Sequence, residues 1–270
     1  MSRNQGFGLL LPALFGLCFV PSARAAPGNA CLAAGAGQTQ HMPSTGNETC
    51  DPHFTYAPGP HDPSHWEGTC NTGHMQSPID ITHAEKLSLT PLLINYQPVD
   101  LDIFNDCNHY QIKVKFPDND WLRVGKKPYS LSEFHFHEPG ENAVNGKRAN
   151  MVIHLVHRAP ESTLVIEVPV VVGKENPVIK TLWEHIPEKG VEQKVPLVKI
   201  NAADLLPADR SYYKFPGSLT TPLCNEGVTW YVFKNPIEMS EAQIAEYMKH
   251  YHNTARPLQP LNGRPIVEPK

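Results

Sequence analysis

Glu133-Phe134-His135-Phe136-His137 reads as a strand whose two histidines face the same way, because side chains two apart on a strand share a face. Phe134 and Phe136 then turn to the opposite face, where apolar bulk suits a core. The competing reading of this pentapeptide is an exposed, histidine-rich strand, and a third ligand separates the two. His154, within Met151-Val152-Ile153-His154-Leu155-Val156-His157, is the candidate. The connection from His137 to His154 contains Pro139, Gly140 and Asn145-Gly146, a turn-rich link between two strands. An antiparallel return sets His154 beside His135 and His137. Three neutral imidazoles with an open fourth position make the ligand set of a catalytic zinc, not of a closed structural one. His157 lies three residues on, falls on the other face and reads as structural.

The elements that must hold these residues are mostly strands. Leu101–Phe104, Tyr110–Phe116, Ser132–His137, Asn150–His157, Thr163–Val172 and Val228–Phe233 carry the β-rich, alternating or continuously apolar pattern. Leu164 to Val172 is almost unbroken apolar sequence, as in a strand buried on both faces. Helical pattern is confined to short stretches near 175–186 and 239–250, the second starting at Ser240. A mostly β fold follows: a single domain on a large twisted, mainly antiparallel central sheet, with short peripheral helices and many loops.

The chain has 270 residues with 27 prolines, which disfavours an all-helical fold and suits many loops and short strands. A formal charge of −4 supplies no basic footprint, so nucleic acid is excluded as a partner class. Residues 1–25 read as a signal peptide: Arg3, an apolar run from Phe7 to Val20, then Ala23-Arg24-Ala25. Residues 26–50 read as a flexible Gly-, Ala- and Thr-rich leader, with a glycosylation sequon at Asn47, and residues 51–270 as the folded domain. The expectation is an exported protein, periplasmic or secreted, with no membrane insertion in its mature form. Export places Cys31, Cys50, Cys70, Cys107 and Cys224 in an oxidising compartment; five is odd, and the sequence alone does not assign pairs.

His135-Phe136-His137-x-Pro139-x-Glu141, Asn145-Gly146-Lys147 and His154-Leu155-Val156-His157 closely resemble the α-class carbonic anhydrases. Gly217-Ser218-Leu219-Thr220-Thr221-Pro222-x-Cys224-x-Glu226-Gly227-Val228-x-Trp230 resembles the second signature of that family. Gln76-Ser77-Pro78-Ile79 and Arg256-Pro257-Leu258-Gln259-Pro260-Leu261-Asn262-Gly263-Arg264 are similar as well. The resemblance spans residues 54 to 268, several separate motifs in the family's order.

The resemblance implies zinc held by His135, His137 and His154, and attack of a zinc-bound hydroxide on carbon dioxide to give bicarbonate and a proton. It implies an apolar substrate pocket at Val156, Val165, Leu219, Val228 and Trp230, with Thr221 beside it. Thr220 would pass a proton to Glu141 and so orient the nucleophile. A proton shuttle belongs in Asn105–Gln111, where alignment on Gln111 selects Asn108 and alignment on the histidine selects His109. A disulfide between Cys70 and Cys224 is implied, and Cys107 is left for Cys50 or Cys31. Two positions depart from the family: its glutamate two residues before the third histidine is Val152, and the histidine after Glu141's position is Asn142. These changes lead to the expectation of weaker zinc binding or a shifted water pKa unless another acceptor, with Gln111 and Glu133 as candidates elsewhere in the cavity, stands in. The extra cysteines and the altered surroundings of the ligands also resemble δ-class carbonic anhydrases. The alternatives are a weakened relative used for binding or adhesion, and an exported zinc-binding protein. Neither of those requires Glu141, Thr220 and an apolar pocket together.

Overall fold

The computed structural model describes residues 49–270, so the signal and leader readings, Cys31 and Asn47 lie outside the described residues. Its centre is a 13-stranded mixed sheet in which antiparallel pairs predominate. Ten strands form the main path: β1 (Glu85–Leu87), β2 (Val99–Asp106), β3 (Gln111–Lys115), β4 (Lys127–His137), β5 (Met151–Ala159), β6 (Ser162–Val172), β7 (Glu192–Ile200), β8 (Tyr212–Ser218), β9 (Glu226–Phe233) and β10 (Val267–Pro269). Their spatial order is β7-β2-β3-β4-β5-β6-β9-β8-β10-β1. The β6–β9 and β10–β1 pairs are parallel. All six strands expected from the sequence form, with ends moved by one to a few residues. Among the described residues, no helix is long and apolar enough to cross a membrane.

The pleat sorts the two faces. On β5, Met151, Ile153 and Leu155 join Phe134 and Phe136 of β4 in the larger core. Each Phe ring is fully buried, and a side chain of that size contributes roughly 1.5–3 kcal/mol on burial. Two helices cover this face, α1 (Pro177–Trp183) and α2 (Glu241–Met248). Phe136 meets Trp183 with ring centroids 5.0 Å apart and Tyr247 at 5.9 Å. Both helices start on a side-chain cap: Asn176 accepts from the Val178 and Ile179 N–H groups, and Ser240 and Gln243 form a reciprocal capping box. Each cap contributes about 1 kcal/mol.

The opposite face carries His154 and, flanking it two residues away on either side, Val152 and Val156. β4 and β5 pair antiparallel with His154 opposite His135 and Val152 opposite His137. β5 and β6 continue the rows, His154 opposite Glu167 and Val156 opposite Val165, and β9 sets Trp230 next to Val165. One transverse row is therefore polar and the next apolar, which places a ligand cluster against a greasy wall by register alone.

A disulfide joins Cys70 to Cys224 across 154 residues of sequence, and a second joins Cys50 to Cys107. The first ties the loop after β8 to the segment leading into Gln76-Ser77-Pro78, where Gln76 also donates to the Cys224 carbonyl at 3.1 Å. Closing so long a loop contributes on the order of 2–4 kcal/mol.

His157 does fall on the far face. It is fully buried, 2.6 Å from the Tyr96 hydroxyl through Nε2 and stacked on that ring. Burial pushes its pKa down to about 4. The unfolded chain takes up this proton near pH 6.5 while the fold does not until about pH 4, so stability is full above that window and is lost as pH falls through it. The expected loss is up to about 3 kcal/mol, read as a falling denaturant midpoint between pH 7 and pH 4. His157→Gln is expected to flatten that slope, and an unchanged slope would contradict the assignment.

Candidate active site

His135, His137 and His154 converge from β4 and β5, and one nitrogen of each lies within 4.8 Å of the others. Each ring has its other nitrogen engaged. His135 Nδ1 is 2.9 Å from Glu133 Oε2, His137 Nδ1 is 2.8 Å from the Thr254 carbonyl, and His154 Nε2 is 2.9 Å from Glu167 Oε2. Acceptors on the outside fix the N–H there, leaving His135 Nε2, His137 Nε2 and His154 Nδ1 as bare lone pairs facing one another. Burial lowers the pKa of His135 and lowers that of His137 further, with the neighbouring imidazoles adding to the effect on His137. Burial alone would raise Glu133, but its interaction with His135, through the Nδ1–H hydrogen bond, and the charge of Lys113 outweigh it and hold that carboxyl below the ordinary range. Neutral, tautomerically fixed imidazoles are the donor set that zinc takes. The residues fit the ion.

Glu141 sits directly under the cluster, fully buried. Its Oε1 accepts the Arg256 backbone N–H at 2.9 Å, while Oε2 has no partner in hydrogen-bonding geometry. That oxygen is 3.6 Å from His137 Nε2 and 3.9 Å from His154 Nδ1. Burial pushes Glu141 up to about 7, and His154, the Thr220 hydroxyl and the Arg256 N–H partly offset this. Thr220 stands on the loop after β8, which is tied down by Leu219 N–H to the Asn225 carbonyl and Trp230 Nε1–H to the Ser218 carbonyl, both 3.0 Å.

A cavity of about 170 Å³ opens over His135 and His154, with His137 buried out of its lining. Val156, Val165, Leu219 and Trp230 line one wall, with Thr220 and Thr221 at its edge; His109, Gln111, Lys113 and Glu133 line the other. Val228 is not among the lining residues: it lies behind, in the apolar cluster with Val156, Val165 and Trp230.

A model of the eukaryotic-type carbonic anhydrases matches residues 61–270. The chain belongs to the carbonic anhydrase family. A carbonic anhydrase of Klebsiella pneumoniae is 38% identical over 224 residues, covering 80% of this chain and 91% of its own length. A solved hyperthermostable carbonic anhydrase from an active hydrothermal vent chimney has a TM-score of 0.77 at 38% identity, covering 81% of this chain and 100% of its own. The α-carbonic anhydrase of Thermovibrio ammonificans, solved with the inhibitor sulfanilamide, has a TM-score of 0.75 at 38% identity, over 80% of this chain and 99% of its own. Carbonic anhydrases act on carbon dioxide and bicarbonate, and the mostly β fold expected from the strand pattern is the fold observed.

Where the family resemblance led us to expect a proton shuttle, His109 and Asn108 of this carbonic anhydrase part company. Asn108 is turned to the chain ahead of the domain, accepting the Asp51 N–H at 2.8 Å and donating to the Thr49 carbonyl. His109 lines the cavity, half exposed, with Nδ1 held 2.8 Å from Asp106 Oδ2. The Cys50–Cys107 bridge fixes the turn that presents it.

Around the candidate metal ligands, another acceptor stands in for the residue that the sequence lacks at Val152. Val152 offers no acceptor to His154, as its side chain dictates, yet the ring is not left without one. Glu167 supplies it from β6, and Asn142 Nδ2 donates to the same Glu167 oxygen at 2.8 Å. Sequence reasoning missed Glu167, though a signal was present: it is the one charged residue in the apolar run Leu164–Val172. A carboxylate in a strand buried on both faces needs a partner.

Proposed function

We propose that this chain catalyses the reversible hydration of carbon dioxide to bicarbonate and a proton, with one zinc ion held by His135, His137 and His154. The observation that carries this reading is the trio of inward lone pairs, each ring pinned by its own acceptor. Zinc bound there lowers the pKa of a coordinated water to about 7 and so supplies a nucleophile at neutral pH.

The surrounding residues account for the rest of the chemistry. Glu141 Oε2, buried and unpartnered, accepts the Thr220 hydroxyl proton, which turns the Thr220 oxygen into an acceptor for the nucleophile's remaining proton. The nucleophile's reactive lone pair is then aimed across the cavity, a positioning effect. Carbon dioxide, being apolar, settles against Val156, Val165, Leu219 and Trp230, with Val228 packing that wall from behind and Thr221 closing its edge. The relay through Thr220 requires Glu141 in its ionised form, which a dication held by the three histidines would favour.

His109 moves the product proton out. Asp106 holds Nδ1, leaving Nε2 toward the cavity as the exchanging atom. His109→Ala is expected to lower kcat on the order of 10-fold or more in dilute buffer while sparing kcat/KM, with recovery on adding imidazole. A kcat unchanged at every buffer concentration would remove His109 from the pathway. We also read the protein as exported, with residues 1–25 as its signal and the two disulfides suited to an oxidising compartment.

The reading is tested by stopped-flow carbon dioxide hydration. Activity is expected to be blocked by a sulfonamide such as sulfanilamide and lost after chelation. Full activity in metal-free protein would overturn it.

A further inference from the structure

We propose that Glu167, reaching across from β6, is the residue that positions His154 as a zinc ligand, with Asn142 aiming its carboxylate. This rests on the zinc reading above and assigns part of that site to a strand that carries no ligand.

The argument begins on β5. The neighbours of His154 on its own face, Val152 and Val156, are apolar and almost fully buried, so its own strand gives the ring nothing to bond. The antiparallel register sets Glu167 directly opposite His154, where Cβ atoms stand about 4.5–5.5 Å apart. A glutamate spans that gap, and its Oε2 meets His154 Nε2 at 2.9 Å. The tautomer is thereby decided: the N–H points at Glu167 and Nδ1 points at the other two imidazoles. Trp230 closes the ring from a third direction, centroids 4.9 Å apart and edge-on.

The carboxylate is itself held. Asn142 Oδ1 accepts the Ile79 backbone N–H at 2.8 Å, which fixes the amide's orientation and turns Nδ2 toward Glu167 Oε2, also at 2.8 Å. Asn142 directly follows Glu141, so one short segment carries both the carboxylate beneath the cluster and the amide that aims the carboxylate behind it. Glu167 is 1% exposed in an apolar strand. A buried carboxylate with two hydrogen bonds and no cation nearby is costly, and a dication on the far side of His154 supplies the missing charge. Partners of this kind typically change metal affinity by about 10–100-fold.

The test uses zinc-loaded protein and follows zinc release to an excess of a chromogenic chelator, with the visible spectrum of the cobalt-substituted protein as a second readout of ligand geometry. Glu167→Gln is expected to release zinc about 10–100-fold faster than the parent and to alter the cobalt bands, with thermal unfolding confirming that it is folded. Asn142→Ala is expected to be intermediate. Val152→Glu alone is expected to bring no gain, because it sets a second carboxylate beside Glu167. Combined with Glu167→Val, it returns the carboxylate to His154's own strand and is expected to recover most of the retention.

Release from Glu167→Gln at the parental rate would overturn the proposal. So would a double variant that folds but holds zinc no better than the Glu167 variant. Should Glu167→Gln fail to fold, the double variant decides alone. A parent that takes up no zinc, or loses none of it when His154 is replaced, would instead count against the zinc site itself.

Discussion

Alanine at His135, His137 or His154 is expected to abolish zinc uptake and to cut carbon dioxide hydration by on the order of a thousandfold or more. The reason lies in the geometry of the cluster. The three rings present one bare nitrogen each within 4.8 Å of one another, and nothing else in that cluster can replace one. Gln111 Nε2 approaches His137 Nε2 at 3.4 Å, but an amide NH₂ is a donor and cannot serve as a ligand. Glu141 Oε2, without a hydrogen-bond partner, is 3.6 Å from His137 Nε2 and 3.9 Å from His154 Nδ1, but Glu141 is not among the residues that line the cavity. Because zinc binds only the folded site, the parent is also expected to melt at a higher temperature as zinc is added, and the variants are not. Metal analysis of purified protein and thermal unfolding with and without zinc check both parts. A histidine variant that keeps one zinc per chain and parental activity would remove that residue from the ligand set.

Thr220→Val is expected to lower kcat/KM about 100-fold while leaving zinc in place. Valine keeps the shape of the side chain and removes the hydroxyl, so the loop after β8 retains its anchors at Leu219 and Ser218. What would be lost is the proposed relay from the nucleophile to Glu141 Oε2, the buried oxygen that otherwise has no hydrogen-bond partner. Glu141→Gln is expected to cost a similar factor, since a carboxamide offers its NH₂ where the hydroxyl needs an acceptor. The double variant is expected to be little worse than either single one, because both changes break the same relay. Single-turnover hydration rates on metal-matched samples supply the numbers. Independent, multiplying losses would mean that the two side chains act separately.

The site was legible where chemistry depends on strand period. His135 and His137 share a face because they are two apart, and the turn-rich link to His154 suits an antiparallel return that sets it beside them. The pocket residues Val156, Val165, Leu219 and Trp230 were legible only through the family resemblance; the fold places the first two and Trp230 together by register across three strands, and Leu219 on the loop after β8. Position along a strand does not reveal which strand lies next door, and this is why Glu167 went unseen. Its role exists only through the pairing of β5 with β6. The same limit applied to Asn108 and His109. They are adjacent in a turn, and their directions are set by the Cys50–Cys107 bridge and the Asp106 carboxylate rather than by any period.

Two of the strands that the sequence did not reveal were hidden for a different reason. β7 contains Pro196 beside Leu197, which is 92% exposed at positive φ, and its pairing with β2 shifts register between Val195 and Lys199. It pairs only with β2 on the main path, so it tolerates a proline and charges that a central strand would not. β8 carries Pro216 and Gly217, residues that read as a turn. Gly217 is required where it stands, because a side chain there would collide with Ser77 Oγ and the Trp230 ring. Close packing behind the cavity wall therefore set that residue, at the expense of the local strand signal.

Zinc titration into metal-free protein, with carbon dioxide hydration measured at each addition, tests the central claim most directly. Activity is predicted to rise from near zero in proportion to added zinc and to stop rising at one ion per chain, with His154→Ala showing no response. Hydration that is present before zinc is added, or that ignores its addition, would contradict the account.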